Sequence, residues 1–385
     1  MIFNEHLNKH LNKKLKIYLC SNLSSQVLYN LHLVYHPIIQ TPYKYYKESA
    51  HEIVIHNVIN GLINGQSKIY SKTNDVYLSE TIDYFNGVIN GKIVKYNSDN
   101  NKLFEIDIFD NVVHGLIKIY YPNGNVDGNL NLENNLKKTV KVWCGVPDGL
   151  TEYYYQNGGK YFDINFHKGV KHGFETMYYN DGNIKLQNLY INNIKNGSEI
   201  YWYANQQICY IIYWKNGKKE GVYQEWYKNG QLKILTSYND NLLNGLYEEW
   251  FENGYINKKC FYSQGLLHGN LKVFDENNRL CCIQHYNNGN LHGYSHKLIR
   301  NINETPLHLV NEIKFEDIKL IDISQYYVNG KLHGITTIKI DGVLRKTIVY
   351  FNGLKHGGQI EYSVDGIRNE TVYYVNDKAK IKIKN

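Results

Sequence analysis

A histidine stands directly before a glycine six times, at His114, His172, His268, His292, His333 and His356. Recurring imidazoles raise the question of a metal site, because neutral imidazole is the commonest protein ligand for metals. Zinc would need each ligand nitrogen at about 2.1 Å. If each copy is one β-hairpin, equivalent atoms in adjacent copies lie roughly 10 Å apart, two strand spacings. Neighbouring histidines of this set therefore cannot share an ion. They read instead as turn residues that satisfy local backbone groups, and no metal is expected.

The carboxylates Glu225, Glu248, Glu249 and Glu361 fall along strand-like runs and are expected on solvated faces, with no paired-acid site. The sequence has no GxxxxGK[ST] loop, no GxGxxG between strand and helix, and no Gly-x-Ser-x-Gly elbow. The six cysteines, Cys20, Cys144, Cys209, Cys260, Cys281 and Cys282, form no CxxC pair and fall at unrelated repeat positions. A disulfide framework is not expected, and a reducing compartment is. These observations point to a chain with no catalytic residues and no cofactor.

The glycines that follow these histidines, or an Asn, Asp or Glu in the same place, organise the whole chain. They are Gly65, Gly91, Gly115, Gly149, Gly173, Gly197, Gly221, Gly245, Gly269, Gly293, Gly334 and Gly357. From Gly149 to Gly293 every interval is 24 residues, which marks an internal repeat. Five residues after the glycine stands an aromatic in ten of the twelve copies: Tyr70, Tyr96, Tyr120, Tyr154, Tyr178, Trp202, Trp226, Trp250, Phe274 and Tyr362. Seven residues before it, nine positions are aromatic: Tyr84, Phe166, Tyr190, Trp214, Tyr238, Tyr262, Tyr286, Tyr327 and Tyr350. A second turn signal follows, as in Asn157-Gly158, Asp181-Gly182, Asn229-Gly230 and Asn253-Gly254.

Each copy thus holds two runs of about six residues, each ended by a turn signal. Asn-Gly and Asp-Gly supply the positive φ angles of tight hairpin turns. Val222-Tyr223-Gln224-Glu225-Trp226-Tyr227 shows the alternation of a strand. A lone hairpin cannot bury its own apolar face, so the hairpins must stack. The expected fold is mostly β: an elongated single-layer antiparallel meander, roughly 115 Å for twelve repeats. A ladder of rings along one face, Tyr120, Tyr154, Tyr178, Trp202, Trp226, Trp250 and Phe274, is expected to hold neighbouring repeats together. Tyr (37 residues) and Gly (31) favour strands and turns.

Segments such as Tyr327-Val328-Asn329-Gly330-Lys331-Leu332-His333-Gly334 and Tyr350-Phe351-Asn352-Gly353-Leu354-Lys355-His356-Gly357 resemble MORN repeats. With the aromatic pair and Asn-Gly that follow in other copies, the pattern is similar to the longer MORN variant, over about residues 58–377. The resemblance implies a single-layer twisted β-sheet that serves as a scaffold or binding surface. It also brings contact with phospholipids, self-association and, from bacterial members, an antitoxin-like immunity role. The spacing departs from the repeat near residues 125–142 and 294–326, where a degenerate hairpin or a loop is expected. Lys378-Ala379-Lys380-Ile381-Lys382-Ile383-Lys384 reads as a lysine-guarded last edge strand.

Residues 1–57 read differently, as a helical segment that caps the first sheet edge or docks an adaptor. Leu11, Leu15, Leu19 and Leu23 are spaced by four, and Leu28, Leu31, Leu33 and Val34 follow at helical spacing, with Ser24-Ser25 between. This layout resembles a degenerate F-box, although Asn12, Lys14 and Val27 stand where Pro, an acid and Asp are usual. An F-box implies docking to the Skp-type adaptor of a cullin–RING ubiquitin ligase, with residues 58–385 presenting the target.

The formal charge of +7 is interspersed, with no like-charged block, so no nucleic-acid partner is expected. Richness in Asn, Ile, Lys and Tyr is the bias of an AT-rich genome, such as that of a protist or a large DNA virus. No apolar run suits a signal peptide or a membrane span, which implies a cytoplasmic location, the host cytoplasm for a viral chain. Three readings follow, all non-enzymatic. They are an adaptor that binds a protein target, a scaffold that self-assembles or touches anionic lipid weakly, and an antitoxin-like immunity protein.

Overall fold

A computed structural model describes residues 42–73, 75–122, 136–300 and 320–384. The described residues form strands joined by turns in an antiparallel meander, and no helix occurs among them. The chain divides into two compact units, residues 1–170 and 171–385.

In the first unit, successive strands pair in order. Tyr43 faces Val58, Gly65 faces Tyr84, Gly91 faces Ile108, Gly115 faces Val142 and Gly149 faces Phe166. One row of cross-strand neighbours runs Ile82, Ile93, Ile106, Ile117 and Val140. With Ile69, Ile108 and Val142 it makes a buried aliphatic cluster. Burying each such side chain contributes about 1.5–3 kcal/mol, so this row is the main driving force for docking one hairpin on the next.

The second unit continues the pattern. Tyr190 faces Gly173, Trp214 faces Gly197, Tyr238 faces Gly221, Tyr262 faces Gly245 and Tyr286 faces Gly269. The two sequence markers of the repeat are therefore cross-strand partners: the aromatic of one copy lies across from the glycine of the copy before. Near the other end, Ile299, Ile321, Ile323 and Ile338 form a second aliphatic cluster.

The tight turns use paired positive-φ residues such as Asn86-Gly87 and Asp240-Asn241, which fits right-twisted hairpins. The repeat glycines are not themselves in these turns. Gly91 follows its turn by four residues and Gly245 likewise, each at a break in the pairing with the preceding strand. There the backbone bulges. A Cβ at Gly91 would lie 2.6 Å from Asp83 Cβ, at a φ of +129° that side chains rarely adopt.

Two expectations need adjustment. The helical reading of residues 1–57 fails at its end, because Tyr43–Glu48 and Glu52–Ile59 are paired strands. Alternating aromatic and β-branched residues favour a strand there, and Ser49 closes the turn by accepting the Glu52 N–H at 3.0 Å. Leu11, Leu15, Leu19, Leu23, Leu28, Leu31, Leu33 and Val34 lie outside the described residues.

The irregularities are narrower than the spacing suggested. Leu136–Trp143 is an ordinary strand, and Gly293 to Ile299 pairs without a break with Tyr327 to Ile321. Residues 123–135 and 301–319 lie outside the described residues. Finally, Lys378–Lys384 is a fully exposed strand paired with Arg368–Val375.

Candidate functional site

The row that is aliphatic in the first unit changes chemistry in the second. Its positions there carry Glu175, Asn188, Glu199, Ile212, Tyr223 and Thr236, with Tyr210, Trp214 and Glu225 two residues away on the neighbouring rows, all buried or half-buried. The first two copies repeat one device. Lys stands two residues before the repeat glycine and Glu two residues after it, giving the ion pairs Lys171–Glu175 (2.7 Å) and Lys195–Glu199 (2.6 Å).

The bulge makes these pairs possible. Residues four apart in a regular strand are separated by about 13 Å. Across the bulge, Lys195 and Glu199 face Tyr190 and Asn188, which are only two residues apart, so ammonium and carboxylate meet. Sequence reasoning gave the glycines their backbone role but missed this one. The missed signal was available: Lys, then Glu, at fixed offsets from Gly173 and Gly197.

Glu199 is 9 % exposed and fully engaged. It accepts from Lys195 Nζ, from the Tyr210 hydroxyl at 2.8 Å and from Trp214 Nε1 at 3.0 Å. Lys195 Nζ also lies 5.0 Å from the Trp214 ring centroid, a cation–π contact. Glu175 accepts from Asn188 Nδ2 at 3.1 Å, and Lys171 lies over Tyr190 at 4.9 Å. Glu225 takes Lys233 at 2.6 Å and the Tyr223 hydroxyl at 2.8 Å.

Burial, then the hydrogen bond to Glu199, pushes the Tyr210 phenol far above its ordinary range, and Glu225 does the same for Tyr223. Burial and the Glu175 charge raise Tyr190 to about 12. The hydrogen bond to Glu225 holds the Lys233 ammonium above its usual value. These phenols stay protonated and serve as donors; the carboxylates are the acceptors they organise around.

Two expectations about charge are therefore corrected. Glu225 and Glu248 were expected on solvated faces, yet their side chains are only 18 % and 14 % exposed and are held by Lys233 and Lys259. A strand residue flanked by long lysines and rings is covered even in a one-layer sheet. Glu361, 45 % exposed and bonded to Lys346, does lie at the surface.

The predicted ring ladder is arranged otherwise than expected. Tyr178, Trp202, Trp226, Trp250 and Phe274 each stand across from an aliphatic, Ile184, Ile208, Leu232, Ile256 and Leu280, and Tyr120 stands across from Leu136. Their backbone does the joining. The tyrosine after four of them donates to a carbonyl of the next copy: Tyr121 to Tyr154, Tyr179 to Trp202, Tyr203 to Trp226 and Tyr227 to Trp250, at 2.6–2.8 Å. Ring-on-ring contacts run through other positions, such as Tyr201–Tyr210 (5.5 Å, interplanar 5°) and Tyr210–Tyr223 (6.2 Å).

The histidines before the glycines take varied partners. His292 Nδ1 accepts the Asn329 N–H at 3.4 Å, His172 and His356 contact Asn192 and Asn376, and His114 packs on Trp143. His333 Nδ1 is buried with no hydrogen-bond partner. Among the described residues no group of three His, Cys, Asp or Glu is placed to hold a metal ion, and no helix is long and apolar enough to cross a membrane.

Lys195, Glu199, Tyr210, Ile212, Trp214, Lys219 and Tyr223 line an open depression of about 310 Å³. It is walled by rings and long side chains rather than enclosed between layers. Such a site can hold a flat or extended group by stacking and a charge by its lysines, and it contains no nucleophile paired with a base.

The family model of the MORN repeat variant matches residues 113–134 and 219–240, the latter being the copy that holds Lys219 and Tyr223. No curated protein matches the sequence. Among solved structures, a chain of the Photorhabdus luminescens Tc holotoxin pore is similar over 88 % of this chain, at 10 % identity and a TM-score of 0.17. This chain covers 24 % of that one's length.

Proposed function

We propose that this chain is a non-catalytic repeat protein that binds a protein partner on the lysine–glutamate–aromatic row of its second unit. The observation that carries the reading is that this row, aliphatic from Ile82 to Val140, carries Glu175, Asn188, Glu199 and Tyr223 at the equivalent repeat positions of the second unit, beside Tyr210, Trp214 and Glu225. Burying charges in the sheet is unfavourable for stability by comparison with the isoleucines of the first unit. A surface so arranged, rich in Tyr and Trp, has the composition of an interface centre. The matches to the MORN repeat variant support a binding role in general terms.

The test is proximity capture from cells by the full chain and by a Tyr210→Ala/Trp214→Ala/Tyr223→Ala variant of unchanged circular dichroism. A set of captured proteins that depends on the three rings supports the reading. Identical capture by both chains overturns it.

The leucine spacing at Leu11, Leu15, Leu19 and Leu23 supports a second reading, in which the partner is a target delivered to a ubiquitin ligase. Pull-down of a Skp-type adaptor by the full chain, lost on Leu15→Glu or Leu19→Glu, is the expected result. No pull-down, or pull-down indifferent to both substitutions, ends that reading.

A further inference from the structure

The lysine–glutamate device fails at the third copy. Lys171 and Lys195 each have a glutamate four residues on, but the residue four after Lys219 is Tyr223. The lysine's contact with a ring is retained. Lys219 Nζ lies 5.2 Å from the Tyr238 ring centroid, as Lys195 lies 5.0 Å from Trp214 and Lys171 4.9 Å from Tyr190. It also lies 5.9 Å from the Trp214 ring centroid. The nearby Glu225 is already taken by Lys233 and Tyr223. Lys219 is half-buried, lines the depression beside Trp214, and its Nζ has no ion-pair partner among the described residues.

A second vacancy lies in the same copy. Thr236 stands directly across the strands from Tyr223, where Asn188 stands across from Glu175 and donates to it. The Thr236 hydroxyl is buried and has no hydrogen-bond partner. An ammonium without its carboxylate thus marks the one copy of the three where the acid is absent, with the unpartnered Thr236 hydroxyl across the strands from Tyr223; across from Glu199 the same place holds Ile212.

We infer that the depression at Lys219 is a carboxylate-binding pocket that takes an acidic side chain of an extended peptide, with Trp214 and Tyr223 stacking on its apolar neighbours. The ligand would supply the charge that Glu175 and Glu199 supply internally. Trp214 and Tyr223 offer stacking faces in the same depression, which a free inorganic anion would not use. This deepens the binding role proposed above and rests on it.

The test is calorimetric titration of the full chain with acetyl-Phe-Glu-Phe-amide and with its Gln counterpart. The Glu peptide is expected to bind about tenfold or more tightly than the Gln peptide, with salt weakening it. Lys219→Met should lower affinity for the Glu peptide about tenfold and leave that for the Gln peptide unchanged. Tyr223→Glu, which restores the internal pair, should block the Glu peptide while the chain keeps its circular dichroism and its amide exchange protection in residues 194–215, a result no unfolded variant can imitate. Equal binding of the two peptides, no binding of either, or displacement by equimolar inorganic phosphate would each overturn the inference. Ring-dependent capture without peptide discrimination would sink this pocket and leave the broader binding role standing.

Discussion

Replacing Glu199 by Gln removes one charge from the most engaged side chain of the row while keeping its size. The carboxylate accepts three hydrogen bonds, from Lys195 and Trp214 on one oxygen and from Tyr210 on the other. The amide keeps one oxygen, which can serve Lys195 and Trp214, and turns an NH2 towards Tyr210. Hydrogen bonds to a charged group are worth about 1.5–3 kcal/mol and neutral ones about 0.5–1.5, so each retained contact weakens by about 1 kcal/mol. Lys195 is 29 % exposed and recovers part of the loss by turning to water. The expected total is about 2 kcal/mol.

Repeats unfold with partial independence, so a global melt would blur this effect. Amide hydrogen exchange in residues 194–215 is the suitable assay, and protection there should fall by that amount. Lys195→Met should cost about as much, and the double variant less than the sum, because each single change strands the other's charge. A loss under about 0.5 kcal/mol, or strict additivity, would refute the account of Glu199 as the organising acceptor.

Three further outcomes are expected. Tyr227→Phe deletes the bond to the Trp250 carbonyl, and exchange protection at the joint of those two copies should drop by about 1 kcal/mol. Gly91→Ala meets Asp83 at 2.6 Å and should lower urea stability by about 3 kcal/mol, whereas Gly269→Ala meets nothing within 4 Å and should lose about 1–2. Burial pushes the Lys138 ammonium down to about 8. With a lowered folded value, this lysine favours the unfolded chain while protonated, and stability should rise as pH climbs from about 8 towards the ordinary lysine value near 10.4. Urea midpoints at pH 7.5 and 9.5 read that slope, and Lys138→Met should abolish it.

Much of the fold was legible because hairpin chemistry is local. Asn-Gly and Asp-Gly turns, alternating strands and a 24-residue period fix register before any tertiary contact is known. What escaped depends on the third dimension. A bulge is invisible in a list of spacings, so the repeat glycines looked like turn residues and the lysine–glutamate pairs across them went unnoticed. The carbonyl contacts of Tyr179, Tyr203 and Tyr227 escaped for another reason: an aromatic pair does not show which ring packs and which hydroxyl reaches the next copy. Tyr43–Glu48 was missed because it has no glycine of the kind by which the other copies were found, and Glu52–Ile59 because it carries Val58 rather than a ring seven residues before Gly65.

A periodic sheet makes deviation informative. Where every copy repeats a contact, the contact belongs to the scaffold, and its cost and gain are the same each time. Where a copy keeps half of a contact, the scaffold account fails for the half that remains. Lys219 keeps its place over Tyr238 but not its acid. Lys355 makes the contrast sharp. It too lies over a tyrosine, Tyr374 at 5.3 Å, and it too lacks a glutamate four residues on, but Gln359 Oε1 accepts from it at 3.0 Å. The fold can therefore satisfy this lysine with a neutral residue when nothing else is required. At Lys219 it does not, and a group from outside the chain is the simplest completion of the pattern.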